Sequence, residues 1–202
     1  GDIIWASSVT FCSNINSGLH LDGKVVLLDT DVNFPNLNFN NIEKKLRNTK
    51  KKFLPKFIIL TYMAGFAMDL RKALRLKKKY KFKLIEDASH CIGAKYKDKD
   101  YVGSKKYVDA TIFSTHAVKI ITSGEGGILS IHKKNEFNKA KLLRSHGIIR
   151  EKNIKINNVQ NSKLYNINDL GFNYRITDFQ CAILISQLKK VKKFQNIKKK
   201  FC

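Results

Sequence analysis

Proline is nearly missing from this chain, with two in 202 residues, and acidic side chains are scarce, 16 Asp and Glu against 39 Lys and Arg. The four cysteines stand at 12, 91, 181 and 202, and no two of them form a CxxC pair. That excludes a zinc ribbon or a thioredoxin-type redox motif, so four free thiols and no metal site are expected. No apolar run is long enough to span a bilayer, and no membrane partner is expected. The opening residues GDIIW carry neither a basic stretch nor a small-residue cleavage site. No signal peptide is read there, and the expected location is cytoplasmic. Since the chain does not begin with Met, trimming or a fragment stays open. The formal charge of +23 would ordinarily suggest a polyanion partner. Lys, Asn and Ile crowd the whole chain, however, and the basic residues form no single arm. The charge reads as compositional drift, and no nucleic-acid partner is expected.

What is present supports a folded core. Apolar residues make up 43% and aromatics 10%, enough to rule out wholesale disorder. Short apolar runs at 24–29 (KVVLLD), 56–62 (KFIILTY) and 82–86 (FKLIE) read as buried strands. Between them, 39–47 and 69–80 have apolar residues at helical spacing with charges elsewhere. Strand, helix and strand within about thirty residues is the signature of a parallel sheet. Further strands are predicted at 109–114 and 127–131, and helices at 135–145 and 177–193. Residues 147–170 are polar, Asn-rich and aperiodic, and read as a long loop. The fold class is α/β.

In parallel α/β sheets, ligands gather at the carboxyl ends of strands. Two such ends carry chemically loaded residues. IEDASH, 85–90, places Asp87 just past a buried strand, where a single Asp could equally be a helix cap. FSTHAVK, 113–119, runs into TSGEGG, 122–127, with a serine five residues before a lysine. Most lysines in so basic a chain are solvated. Lys119 differs because Val118, Ile120 and Ile121 flank it, and apolar surroundings favour the neutral amine that imine formation needs. Gly124, Gly126 and Gly127 alone are a weak phosphate-loop signal. An aspartate for a protonated pyridine nitrogen, a lysine for an aldehyde and a hydroxyl for a phosphate together suit pyridoxal 5'-phosphate.

IEDASHCIGAKY, FSTHAVKIITSGEGG, LLRSHGI and GFNYRITDFQCAILISQLKK, in this order and spacing, resemble the DegT/DnrJ/EryC1/StrS sugar aminotransferases. The resemblance runs from about residue 2 to 194. It implies the three-layer α/β/α large domain of the fold-type I, aspartate aminotransferase-like enzymes, incomplete at both ends. On that reading residues 1–202 are a partial cofactor-binding large domain, without the N-terminal phosphate-binding helix and the C-terminal small domain.

The resemblance also implies roles. Lys119 falls on the lysine that holds the cofactor covalently and then moves protons, and Asp87 on the carboxylate that keeps the pyridine nitrogen protonated. Ser114 matches the phosphate-binding hydroxyl. Asn173 matches a residue that reaches the phosphate from a neighbouring subunit, which implies a homodimer with shared active sites. Ala88 and His90 match positions against the cofactor ring. Phe11 would stack on its other face, although a single aromatic is more often core. His116 and Arg175 are candidate substrate-lining residues, with structural hydrogen bonding as the alternative. His146 and Gly147 are expected to shape a helix end. The implied reaction takes an amino group from glutamate to C4 of a UDP-linked 4-keto-6-deoxy-N-acetylhexosamine.

The chain departs from the family pattern in two places. SSVTF, 7–11, lacks a usual proline, and Tyr62–Met63–Ala64–Gly65 stands where His–Tyr–Ala–Gly is familiar. Other readings stay open: a different nucleotide or a C3 keto-sugar, a truncated non-catalytic remnant, or a basic nucleic-acid-binding protein.

Overall fold

The structure is a computed structural model and describes residues 1–104, 108–149, 155–156, 159–160, 165–198 and 200. It divides into two compact units, 1–130 with 179–202, and 131–178.

The first unit is built on a six-stranded sheet. Its strands are β1 (Ile3–Ser7), β2 (Lys24–Leu28), β3 (Phe57–Thr61), β4 (Lys83–Asp87), β5 (Ala110–Ser114) and β6 (Gly127–Ile131), in the order β2-β1-β3-β4-β5-β6. The pairs β1–β2, β1–β3, β3–β4 and β4–β5 are all parallel. Parallel neighbours need crossovers, and two are the helices α2 (Phe39–Asn48) and α3 (Leu70–Tyr80). Both start where their sequence provides a cap: Asn38 accepts from Asn40 N at 2.8 Å, and Asp69 from Arg71 N at 3.0 Å. The Arg71 guanidinium also holds the Asp69 carboxyl down to about 2. Lys81, at φ 60, ends α3 in the left-handed region.

Alternation along the strands sorts the core. Trp5, Ile58, Leu60 and Leu84 face Ile42 and Leu46 of α2 and Leu70, Ala73 and Leu76 of α3 in one buried cluster. The opposite face receives α1 (Ser13–Leu19), which approaches so closely at Gly18 that a Cβ there would lie 2.8 Å from Ile4 and 2.9 Å from Val25. A second cluster joins Ile92, Ile121 and Leu184, the last on α5 (Asp178–Leu188), with Val191 and Phe194 of α6 (Val191–Lys198) against it.

The second unit holds α4 (Lys134–Arg144) and the antiparallel pair β7 (Ile148–Ile149) with β10 (Asn166–Ile167). β8 (Lys155–Ile156) pairs with β9 (Val159–Gln160). Thus 147–170, read as one aperiodic loop, contains short paired strands; the rest of 150–164 lies outside the described residues. The single helix expected over 177–193 is two helices broken at 189–190, and Phe179, expected inside, is exposed.

The fold also buries ionisable groups beside one another. Cys91 is fully buried, and burial, with the charges of Glu86 and Asp87 nearby, pushes its thiol up to about 12 from an ordinary 9.0. Burial first, and Glu86 second, push the Tyr62 and Tyr96 phenols up as well. Between pH 9 and 12 the unfolded chain has lost the thiol proton that the folded chain keeps. Stability from this source is therefore complete below about pH 9 and falls as pH rises. Urea midpoints should decline from pH 8 to 11, and Cys91→Ala should flatten part of that decline; parallel pH profiles for the two proteins would contradict it.

Candidate active site

Asp87 ends β4 and is buried. It pairs across the ladder with Thr61 on one side and Ile112 on the other. Ser114 lies two residues beyond Ile112 on β5, so alternation puts its side chain on the same face as Asp87. Because β4 and β5 are parallel neighbours, their carboxyl ends lie side by side.

The Asp87 carboxylate is held by three donors. Ser89 gives its N–H at 3.1 Å and its hydroxyl at 2.5 Å to Oδ1, and Asn14 gives Nδ2–H to Oδ2 at 2.6 Å. A carboxylate oxygen accepts about two hydrogen bonds, so Oδ2 retains capacity for one more donor. Asn14 is itself fixed: its amide also donates to Thr10 Oγ1 at 2.7 Å, and Thr10 and Thr61 share a hydroxyl bond of 2.8 Å. Sequence reasoning missed Asn14, which sits in the polar stretch SNINSGL. The available signal was Gly18, four residues on, which lets this short helix press its inner side on the sheet.

Lys119 lies in the loop that follows β5, half-buried, with Nζ 3.0 Å from His90 Nε2. The loop closes on the strand end. Thr115 N donates to Gly126 O and Ser123 N to Thr115 O, each at 2.9 Å, and the buried Thr115 and Ser123 hydroxyls join at 2.8 Å. Gly124, at φ +81, makes the reversal that a side chain would strain. This is what the glycine-rich stretch does within the chain. The expected apolar flank of Lys119 is one-sided: Ile121 is fully buried, whereas Val118 is 76% exposed, because the turn points successive side chains in different directions. The hydrogen-bonding partner of the amine is His90, three residues after Asp87.

The remaining expected residues separate. Ala88 is fully buried beside Asp87, and its N–H donates to Ile112 O at 2.8 Å. Ser114 Oγ accepts from His116 N at 3.3 Å, and His116 Nε2 lies 3.5 Å from Glu125 Oε1. Phe11 is 73% exposed, so it is not a core aromatic. Asn173 and Arg175 belong to the second unit, where both are exposed and Asn173 pairs with Ser145. His146 (φ 62) and Gly147 (φ 69) turn the chain at the end of α4, with Gly147 N bonded to Leu142 O at 3.0 Å. Among the described residues no group of His, Cys, Asp or Glu is arranged to hold a metal ion, and no helix is long and apolar enough to cross a membrane.

A mostly parallel sheet flanked by helices, with carboxylate, hydroxyl and amine at adjoining strand ends, defines part of the large domain of a fold-type I, aminotransferase-like α/β protein. The chain belongs to the DegT/DnrJ/EryC1/StrS aminotransferase family, whose pattern it matches over residues 1–202. A Campylobacter jejuni UDP-4-amino-4,6-dideoxy-N-acetyl-beta-L-altrosamine transaminase is 35% identical over 189 residues, covering 94% of this chain and 46% of that protein. The solved structure of Helicobacter pylori PseC, an aminotransferase involved in the biosynthesis of "pseudoaminic acid", superposes with a TM-score of 0.82 at 27% identity, over 95% of this chain and 47% of that one. A putative sugar aminotransferase from Streptococcus pneumoniae, solved in a PLP form, shares the fold with a TM-score of 0.78 at 20% identity, over 96% of this chain and 50% of that one. The chain thus spans about half the length of the curated relatives it matches.

Asn14→Ala would leave a buried carboxylate oxygen short of its donor, at a cost of about 1–3 kcal/mol in unfolding free energy. Asn16→Ala, two residues along on the exposed side of α1, should stay within about 0.5 kcal/mol of the parent. Urea denaturation of the two variants checks the difference, and equal values would contradict the role of Asn14.

Proposed function

We propose that the intact protein is a pyridoxal phosphate-dependent nucleotide-sugar aminotransferase. On this reading it takes an amino group from glutamate and delivers it to C4 of a UDP-linked 4-keto-6-deoxy-N-acetylhexosamine. The observation that carries the proposal is the placing of Lys119 against His90 in the loop after β5, beside the end of β4 where Asn14 and Ser89 hold the Asp87 side chain. The resemblance of the whole chain to sugar aminotransferases supports it, and the Campylobacter relative supports the choice of sugar.

The donor set fits the cofactor chemically. Asp87 Oδ2 has room for the N–H of a protonated ring nitrogen, Lys119 offers a primary amine to an aldehyde, and Ser114 offers a hydroxyl to a phosphate. Pyridoxal phosphate, when bound, supplies an electron sink for the carbon that loses its proton. The chain's own residues do the rest. Asp87, oriented by Asn14 and Ser89, would accept the ring-nitrogen proton's hydrogen bond. Lys119 Nζ removes and returns protons at the reacting carbon, and His90 Nε2 sets where that amine rests. Ala88, whose Cβ is packed into the buried cluster, is proposed to border the ring site through its backbone and not by a side-chain surface. Phe11, exposed rather than buried, is free to cover a ligand. His116 and Arg175 are proposed to line the substrate, and Asn173 to reach the phosphate of a neighbouring subunit in a homodimer. The chain would then supply part of a large domain, acting in the cytoplasm in the assembly of pseudaminic acid-type sugars.

The intact protein should show an absorbance band near the visible edge with pyridoxal phosphate, and borohydride should fix the cofactor on the peptide containing Lys119. Lys119→Ala should remove band and fixation and lower turnover with glutamate more than about 100-fold. A band that survives Lys119→Ala, or none in the parent, would overturn the reading.

A further inference from the structure

Glu86 is a buried titratable group that this chemistry leaves unused. It precedes Asp87 on β4, so its side chain leaves the opposite face of the sheet, and none of it is exposed. A carboxylate taken out of water is costly unless its oxygens are filled, and apolar residues of similar volume would often serve a core better. Here three hydroxyls fill it. Thr111, directly across the ladder, donates to Oε2 at 2.6 Å, while the Tyr96 hydroxyl donates to Oε1 at 2.6 Å and Tyr62 donates to the same oxygen.

Each phenol anchors a separate segment, and both segments meet at one residue. Tyr62 opens the short turn Met63–Gly65 after β3. Gly65 in that turn has φ +87, and a Cβ on it would lie 2.9 Å from the carbonyl oxygen of His90, so the turn is pressed directly on the His90 backbone. Tyr96 lies on the loop that leaves β4. That loop is wound tightly between the two anchors, with Cys91 N bonded to Ala88 O at 2.8 Å and Ala94 N to Cys91 O at 2.9 Å. His90 sits within this winding, and its Nε2 meets Lys119 Nζ at 3.0 Å.

We propose that Glu86 is a positioning residue for Lys119: through the Tyr62 turn and the Tyr96 loop it fixes the His90 imidazole against the lysine amine. Its bearing on amino transfer rests on the function proposed above; the contact it sets does not. The same phenols explain why a carboxylate occupies this row of the sheet in place of a leucine. An apolar side chain would fill the space and leave both tyrosine hydroxyls without an acceptor.

The test reads the His90 imidazole resonance in histidine-labelled intact protein free of cofactor, assigned through His90→Gln. Lys119→Met displaces that resonance. Tyr96→Phe and Glu86→Gln should displace it by at least half as much, while the resonances of His20 and His132 stay in place. Tyr96→Phe combined with Lys119→Met should add little to Lys119→Met alone, as expected when two changes act on one contact. If Glu86→Gln fails to fold, Tyr96→Phe and Tyr62→Phe decide, since each loses one oxygen and keeps its ring. An unmoved His90 resonance in the folded phenylalanine variants overturns the proposal, and so does a displacement shared by every imidazole. Failure of the intact protein to bind pyridoxal phosphate would sink the functional reading and leave these spectra unaffected.

Discussion

The hydrogen bond from Asn14 to Asp87, 2.6 Å long and buried under α1, is the contact on which the site turns. A carboxylate at the end of a parallel strand could be twisted away or spent on a helix cap. Asn14 on one oxygen and Ser89 on the other fix its direction: the group faces α1 and keeps one accepting position. The parallel pairing of β4 with β5 then places Ser114 on the same face and brings the loop of Lys119 alongside. The facing of these side chains follows from the ladder register, since a slip of one residue would send Asp87 to the face of α2 and α3.

Two adjacent carboxylates thus divide the labour of the sheet. Asp87 looks toward α1 with amide and hydroxyl donors; Glu86 looks into the opposite core with three hydroxyls. Both are buried, and the interior around them raises the acidity threshold of Cys91, Tyr62 and Tyr96 in one direction. Such a core costs more to form than an apolar one. The turn after β3 and the loop after β4 are thereby tied to one carboxylate, and that loop carries the His90 that meets the lysine.

Much of this was legible in the sequence. The strands at 24–28, 57–61, 83–87 and 110–114 stand out because each is a short apolar run bounded by charge or glycine, and α2 and α3 because their apolar residues recur at helical spacing. Asp87, Lys119 and Ser114 were visible as polar residues at strand ends. α1 was not visible: seven residues of SNINSGL have no amphipathic stripe, and the helix is held by the tight approach of Gly18 to Ile4 and Val25, a tertiary effect. Asn14 was hidden with it. The break between α5 and α6 was hidden because the lysines at 189–190 suit a helix end and a helix interior equally well. Glu86 was read as part of a motif, but its partners come from 24 residues before it and 25 after, and only the ladder brings them together.

The claim that one carboxylate and one amine grip opposite ends of a single ring is tested most directly at the ring nitrogen. With pyridoxal phosphate labelled with heavy nitrogen and bound to the intact protein, the nitrogen resonance reports whether that atom carries a proton. The account requires a protonated nitrogen in the parent protein and loss of that proton in Asp87→Asn. An unprotonated nitrogen in the parent, or the same resonance in both proteins, would contradict it.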